Sequence, residues 1–330
     1  MYLNKSLCII GGSGFVGSSL INNLDKKTCY NLDKNPSPFF NELTTLGNIV
    51  NKHEIKLTKE IKSVVLLAAE HRDDVLPTSL YYDVNVEGTK NVLAKMDEFG
   101  IKHIVFTSSV AVYGLNKNNP NENHKVDPFN HYGKSKWKAE QEIQKWYKKD
   151  PINKSVTIIR PTVIFGERNR GNVYNLLKMI STGTFLMIGK GQNKKSMAYV
   201  ENVTAFICHR LEREEKGLHI FNYVDKPDFT MKELVSVIEK KMKINVPKTK
   251  IPYSIGVLGG FVFDLLAKIL GKKLFLSSVR VKKFCATTEF DATKLQNEFN
   301  ANYTLKDGLE RTLDYEFLKK NKDEITFYTE

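Results

Sequence analysis

The first half of the chain alternates between short apolar runs and stretches whose apolar residues recur at helical spacing. SLCII (residues 6–10), IKSVVLLAA (61–69), HIVFTSS (103–109) and SVTIIR (155–160) are apolar runs of strand length. Runs of this kind suit strands covered on both faces. TCYNLDKN supplies a further strand ending at Asp33. Helical spacing follows in SSLINNL, in residues 81–96 with Val84, Val92, Leu93 and Met96, and in KSKWKAEQEIQKWYKK. Strands alternating with helices predict an α/β fold, a doubly wound parallel sheet with ligands beyond the carboxyl ends of its strands. Gly11, Asp33, Ala68, Ser109 and Pro161 all fall at such ends.

Beyond Gly166 the alternation loosens. GERNRGNVYNLLKMI opens a helix beside Arg168 and Arg170, residues 220–224 form a short strand, and Thr230 with Glu233 makes a capping box ahead of MKELVSVIEKKMK. The pattern predicts a sheet domain over residues 1–166 and a smaller mixed substrate lobe over 167–330. Strands around 196–225 are expected to return to the sheet.

Residues 251–284 break the pattern. No residue from 251 to 263 is charged, and Asp264, Lys268, Lys272, Lys273, Arg280, Lys282 and Lys283 follow. One reading is an interfacial membrane element, apolar on one side and basic at its edge. The other is a buried helical hairpin with a solvated lysine edge. No run of 18 apolar residues occurs, so a membrane span is not expected. MYLNKSLCIIGG does not read as a signal peptide.

Composition adds one fact. At 330 residues with 41% hydrophobic and 26% charged positions the chain is ordinary, but its net charge is +13. That excess points to anionic partners such as phosphates or an acidic membrane surface. Nucleic acid is not expected, because no recognition helix or aromatic-basic interleaving accompanies the charge. Cys8, Cys29, Cys208 and Cys285 are scattered, which reads as reduced thiols and no metal site.

Two motifs carry chemistry. Gly11, Gly14 and Gly17 in GGSGFVG lie between a strand and a helix. They permit a tight turn and close approach of a pyrophosphate to backbone N–H groups at a helix N-terminus. Asp33 lies about 20 residues further on, where an acid takes the ribose 2′-hydroxyl of NAD. Its neighbour Lys34 weakens the case against NADP. The second motif is HYGKSK, with Tyr132 and Lys136 four apart on one helix face. A lysine beside a tyrosine favours the phenolate, which can then take an alcohol proton. Alone, this spacing occurs in any lysine-rich helix.

With GGSGFVG, Asp33, FTSSVAVYG, HYGKSK and RPTVIFG in order, the chain resembles the extended short-chain dehydrogenases/reductases over essentially its whole length. Within them it is similar to the sugar 4-epimerases. LLAAEHRDDV, SSVAVYGLN, FGERNRGNVYNLL and VRVKKFCATTEFD resemble members acting on polyprenyl-diphosphate-linked N-acetylglucosamine in bacterial O-antigen synthesis. The resemblance implies a Rossmann fold, NAD as cofactor, and C4 epimerisation through a transient 4-keto sugar. It implies Tyr132 as base, Lys136 as its partner and a ligand of the nicotinamide ribose, and Ser109 on the sugar hydroxyl. Gly11, Gly14, Phe15, Val16 and Gly17 would cradle the pyrophosphate. Leu67, Ala68, Ala69 and Pro161 would line the cofactor. Asn48 stands where the family commonly has an acid near the adenine. Lys195 stands where soluble epimerases place an arginine on the substrate diphosphate, and Arg168, Arg170 and Arg280 are further candidates. His71 either touches substrate or stabilises its loop. The implied setting is peripheral, on the cytoplasmic face of the bacterial inner membrane. The implied assembly is a homodimer through residues 81–96 and 134–148.

Rival readings remain. A soluble UDP-sugar epimerase shares every motif. A membrane-attached hydroxysteroid-type dehydrogenase shares the Tyr/Lys pair but consumes NAD. A 4,6-dehydratase would carry an Asp-Glu pair where Val110 and Ala111 stand. A cofactor-sensing regulator could dispense with the base.

Overall fold

The computed structural model describes residues 5–72, 75–115, 117–270, 278–319 and 325–328, leaving aside the side chains of 267, 279, 280 and 283. The apolar runs form one parallel sheet. Its strands are β1 (Leu7–Ile10), β2 (Cys29–Asp33), β3 (Thr44–Leu46), β4 (Ser63–Leu66), β5 (His103–Thr107), β6 (Ser155–Pro161) and a late strand, Gly217–Tyr223. The order from one edge is Gly217–Tyr223, then β6, β5, β4, β1, β2 and β3. Register is in step across the middle: Ile10 lies beside Leu66, and Leu66 beside Phe106. The late strand pairs Tyr223 with Pro161, so the chain returns to the sheet after its excursion into the second lobe.

Period-two alternation sorts the strands' side chains onto two faces. Cys8, Ile10, Val64, Leu66, Ile104 and Phe106 pack against α3 (Gly88–Phe99) and α4 (His131–Lys148). Leu7, Ile9, Val65 and Val105 face α1 (Phe15–Asn22) and the helix Val200–Arg213. Both faces are covered, which is why the strands carry no polar face. A separate cluster around Leu177, Tyr199, Leu234 and Leu309 forms the core of the second lobe.

Two sequence expectations change in detail. The run over 61–69 leaves the ladder after Leu66, so Leu67–Ala69 form a loop at the strand's carboxyl end. The helix expected over 81–96 is α2 (Ser79–Tyr82), then a π turn at Asp83–Glu87, then α3. The π turn carries Asn85, buried, into a polar network beneath the site; single π turns of this kind collect at functional sites.

The apolar segment forms two helices packed on each other, Tyr253–Leu270 and Ser278–Cys285. Lys272 and Lys273 lie outside the described residues. The first helix is not buried: Ile255, Leu258, Phe261, Leu265 and Ile269 are between 52% and 69% exposed. The buried-hairpin reading therefore fails for this helix. With 18 residues and a mean hydropathy of 1.6, it is by length and composition alone long and apolar enough to cross a membrane, although Asp264 and Lys268 interrupt its apolar run.

One buried ion pair ties α4 to the sheet. Arg160 at the end of β6 donates through Nε to Glu140 Oε1 at 3.0 Å and through Nη2 to Oε2 at 2.6 Å. Their side chains are 2% and 0% exposed. Arg160 Nη1 donates to the Tyr113 hydroxyl (2.8 Å), which donates to Asn222 Oδ1 on the late strand (2.7 Å). Removing one partner of a buried pair leaves the other charge unmatched. Glu140→Leu is expected to lower the unfolding free energy by about 3–5 kcal/mol, and Glu140→Leu with Arg160→Met to recover most of it. Denaturant titration checks this, and an equal loss in single and double variants would remove the pair's role.

Candidate active site

The glycine turn leaves space for a ligand's phosphates by closing tightly on itself. Gly11 has φ +93°, and a Cβ there would meet Ala68 N at 2.4 Å. A Cβ on Gly17 would meet Gly12 Cα at 2.4 Å, so α1 could not pack so close to the turn with a larger residue. Gly14 caps α1 without a side chain, leaving its first-turn N–H groups for an anion. Phe15 and Val16 open that helix; the Phe15 ring is buried in the second lobe's core, so its contribution toward a phosphate is its backbone.

Polar side chains from β2 hold the turn. Asn31 is fully buried; its Oδ1 accepts Gly12 N–H at 2.8 Å and its Nδ2 donates to Ser13 Oγ at 2.9 Å. Asp33 accepts Ser13 N–H at 3.0 Å and Asn35 N–H at 2.9 Å on separate oxygens. Each oxygen keeps a lone pair for a ribose hydroxyl. Leu67, Ala68 and Ala69 line the adjacent strand end, half-buried. Asn48 is half-buried, and its Oδ1 accepts Val50 N–H at 3.1 Å. Pro161 is buried at the end of β6. An uncapped helix N-terminus, a glycine cradle and an acid at the next strand end fit NAD.

Ser109, Tyr132 and Lys136 meet beyond β5 and β6. Ser109 caps the short turn Val110–Tyr113, its Oγ accepting Ala111 N–H at 3.1 Å. Asn130 caps α4 in the same way through Gly133 N–H, which sets Tyr132 in the helix's first turn. Burial pushes the Tyr132 phenol up to about 12, with a hydrogen bond from Ser109 pulling the other way. The residue as a whole is half-buried. Lys136 is 2% exposed and donates to the Thr107 carbonyl at 2.7 Å. Burial pushes its ammonium down to about 7, against the charge of Glu140 one turn below. Burial is the largest influence on both groups, and the pull on the phenol that opposes it comes from Ser109.

A polar network that sequence reasoning missed supports this trio. Asn85 donates to the Glu70 carbonyl (2.9 Å) and to Ser135 Oγ (2.8 Å), and its Oδ1 accepts Glu70 N–H (2.8 Å). Ser135 Oγ donates to the Tyr132 carbonyl (2.8 Å). Burial alone would raise the Glu70 carboxyl, but Arg72, donating at 2.9 and 2.7 Å, holds it below the ordinary range. His71 lies next to this pair, and burial lowers its imidazole while a hydrogen bond to the Ala69 carbonyl opposes the shift. Lys136 also acts on it electrostatically, which places His71 near the trio. Polar residues inside otherwise apolar or helical stretches, Asn31 and Asn85, were the available signal.

Three of the four basic residues expected on a diphosphate have partners within the protein. Arg168 Nε donates to the Tyr315 hydroxyl (2.6 Å), and its backbone N–H to Glu316 Oε1 (2.6 Å). Arg170 pairs with Glu316 Oε2 at 2.7 Å and lies over the Tyr174 ring. Lys195 donates to the Ala286 carbonyl at 2.7 Å, and burial lowers its ammonium to about 8, Cys285 opposing. Its partner Ala286 directly follows the second helix of the apolar segment, Ser278–Cys285. Arg280 lies on the second helix of that segment, and its side chain is outside the described residues.

A family model described as NAD dependent epimerase/dehydratase family matches residues 7–223. The chain is 56% identical over 331 residues, 99% of itself and 100% of the relative, to the N-acetyl-alpha-D-glucosaminyl-diphospho-ditrans,octacis-undecaprenol 4-epimerase of Escherichia coli O157:H7. It is 27% identical to the UDP-glucose 4-epimerase of Vibrio cholerae, over 96% of this chain and 97% of that one. Among solved structures, the UDP-glucuronic acid 4-epimerase from Bacillus cereus in complex with NAD superposes with a TM-score of 0.71 at 19% identity, covering 94% of this chain and 98% of that chain. At that identity the likeness is one of fold.

The buried lysine makes stability depend on pH. An unfolded lysine titrates near ~10.4, whereas folded Lys136 titrates at about 7. Between those values the unfolded chain holds a proton that the folded chain lacks, so stability rises with pH. Lys136→Met removes this term. The wild type's stability relative to Lys136→Met is expected to rise by on the order of 2 kcal/mol from about pH 7 to about pH 9. A pH-independent difference in denaturant titrations would contradict the burial argument.

Proposed function

We propose that this chain, which belongs to the NAD dependent epimerase/dehydratase family, inverts C4 of N-acetylglucosamine carried on a polyprenyl diphosphate. NAD is its cofactor. The observation that carries the substrate is full-length identity of 56% with a relative named for that lipid-linked sugar. The placement of Ser109, Tyr132 and Lys136 beyond the ends of β5 and β6 supports the chemistry.

When bound, NAD supplies the acceptor and then the donor of the C4 hydride. As the phenolate, which the positive charge of a bound oxidised nicotinamide and of a protonated Lys136 would favour, Tyr132 takes the proton of the C4 hydroxyl as C4 is oxidised and returns it once the ketone has presented its other face. Ser109 hydrogen-bonds the same oxygen and fixes its distance from the phenol. Lys136, one helical turn on from Tyr132 in α4, is held on the Thr107 carbonyl. Asn85 and Ser135 hold the first turn of α4, and with it the Tyr132 backbone, against the Glu70 loop. The cycle consumes no external redox partner, unlike the dehydrogenase alternative.

The setting is a membrane surface on the cytoplasmic side, where the lipid-linked sugar meets NAD. Helix Tyr253–Leu270 supports this. Ile255, Leu258, Phe261, Leu265 and Ile269 share one helical face and are exposed. The opposite face packs: Gly256 meets Ile188, and Asp264 accepts from Ser278 Oγ at 2.6 Å. The helix's one acidic residue is thereby turned away from the apolar face. Lys282 lies 5.3 Å over the Phe261 ring, placing a cation at the edge of that face, as suits anionic headgroups. Because the helix is fastened along one side to the lobe, we place it in the interface rather than across the bilayer.

Two measurements test this reading. N-acetylglucosamine-diphospho-undecaprenol is expected to be epimerised in preference to UDP-N-acetylglucosamine, with Tyr132→Phe lowering kcat by on the order of 10²–10⁴. Efficient turnover of the nucleotide sugar alone would sink the lipid-linked substrate and favour the soluble epimerase. In flotation with vesicles of phosphatidylcholine and phosphatidylglycerol, Leu258→Glu with Ile269→Glu is expected to weaken binding by at least ~100-fold. Each lost apolar contact accounts for ~1.5–3 kcal/mol. Equal flotation of variant and wild type would remove the membrane contact.

A further inference from the structure

The end of the chain comes back to the glycine turn. Phe327 N–H donates to the Arg168 carbonyl and Arg170 N–H donates to the Phe327 carbonyl, both at 2.8 Å, making a one-residue parallel bridge at Asn169. This seats the Phe327 ring between two others. Its centroid lies 6.0 Å from Phe15 and 6.1 Å from Phe39, tilted by 49° and 51°. The Arg168 guanidinium lies 4.7 Å over the Phe39 ring. Arg168 itself sits at φ +72°, a left-handed conformation costly for a side chain of this size. Tyr315 and Glu316, from the turn Asp314–Leu318, hold it there.

The two aromatic partners belong to the two segments that flank the cofactor. Phe15 is the first residue of α1, whose N-terminus faces the pyrophosphate. Phe39 lies in the loop that follows Asp33, the ribose ligand. Ser13 joins these segments on the side of the turn, donating its N–H to Asp33 Oδ2 at 3.0 Å and its Oγ to the Asn35 carbonyl at 2.8 Å, and the aromatic side is left to packing. Phe327 is the wedge that contacts both, and it comes from the far end of the chain.

We propose that Phe327 is a positioning residue for NAD, bracing the glycine turn and the Asp33 loop against each other so that the cofactor is retained from one turnover to the next. The chemistry makes retention matter. The hydride removed from C4 must return to the same sugar, so loss of the cofactor between the two half-reactions would strand a ketone. The requirement rests on the epimerase reading, but binding of NAD at the glycine turn does not. Failure of the lipid-linked substrate would leave the retention result standing.

The experiment follows NAD release. Full-length protein is loaded with NAD and passed over a desalting column. The nucleotide still bound is then measured over time after denaturation. Phe327→Ala is expected to release NAD roughly tenfold faster than wild type, the scale of two lost aromatic contacts. Phe327→Tyr is expected to stay close to wild type. The NAD-free unfolding midpoint of Phe327→Ala should stay within about 2 °C of wild type, since the ring is half-buried at the periphery. Release within twofold of wild type overturns the proposal, as does faster release that merely accompanies a large drop in that midpoint. If the alanine variant does not fold, hydrogen exchange of the wild-type Phe327 amide decides. NAD is expected to slow it, and unchanged exchange overturns the assignment.

Discussion

The site depends on where α4 sits, and the Glu140–Arg160 pair decides that. Tyr132, Lys136 and Glu140 lie on successive turns of one helix face, so fixing the lowest of them fixes the others. Arg160 stands at the end of β6 and grips Glu140 with two nitrogens. Through Tyr113 it also holds the turn that carries Ser109, and through Asn222 the strand at the sheet's edge. One guanidinium thus relates the base, the serine and the sheet. Such a pair adds little net stability over an apolar replacement, but it tolerates only one arrangement of its partners.

Burial governs the electrostatics above that pair. It raises the tyrosine and lowers the lysine, and both shifts favour the uncharged forms. The protein supplies hydrogen bonds to both groups, Ser109 to the phenol and the Thr107 carbonyl to the amine. Charge enters this pocket with what binds there. A low-dielectric site of this kind strengthens any charge that develops in the transition state, because no water reorganises to screen it.

The second lobe uses its basic residues differently from what their positions suggest. Arg168 and Arg170 flank a helix N-terminus, which in sequence reads as an anion site. Glu316 and Tyr315, some 145 residues later, take both side chains. The result is a fastening for the C-terminal segment, with Phe327 delivered onto the glycine turn. The neighbouring apolar helix shows the reverse case. Its composition allows a buried core helix or an exposed one, and only its packing through Gly256 and Asp264 leaves the apolar face outward.

What the sequence by itself determined are features set within a few residues: the strand runs, the tight glycine turn, the acid at the end of β2, and a tyrosine and lysine one turn apart. Their physics is local sterics and periodicity, so a short window carries it. The tertiary structure decided everything that needed a distant partner. Asn31 became the clamp of the glycine turn, Asn85 entered a π turn to reach Glu70 and Ser135, and Lys136 found the Thr107 carbonyl. Two arginines were drawn to the C-terminus, and an apolar helix was left uncovered. A charged or amide side chain has many acceptable partners. Which one it meets depends on where the backbone brings elements together, and no window of neighbouring residues contains that information.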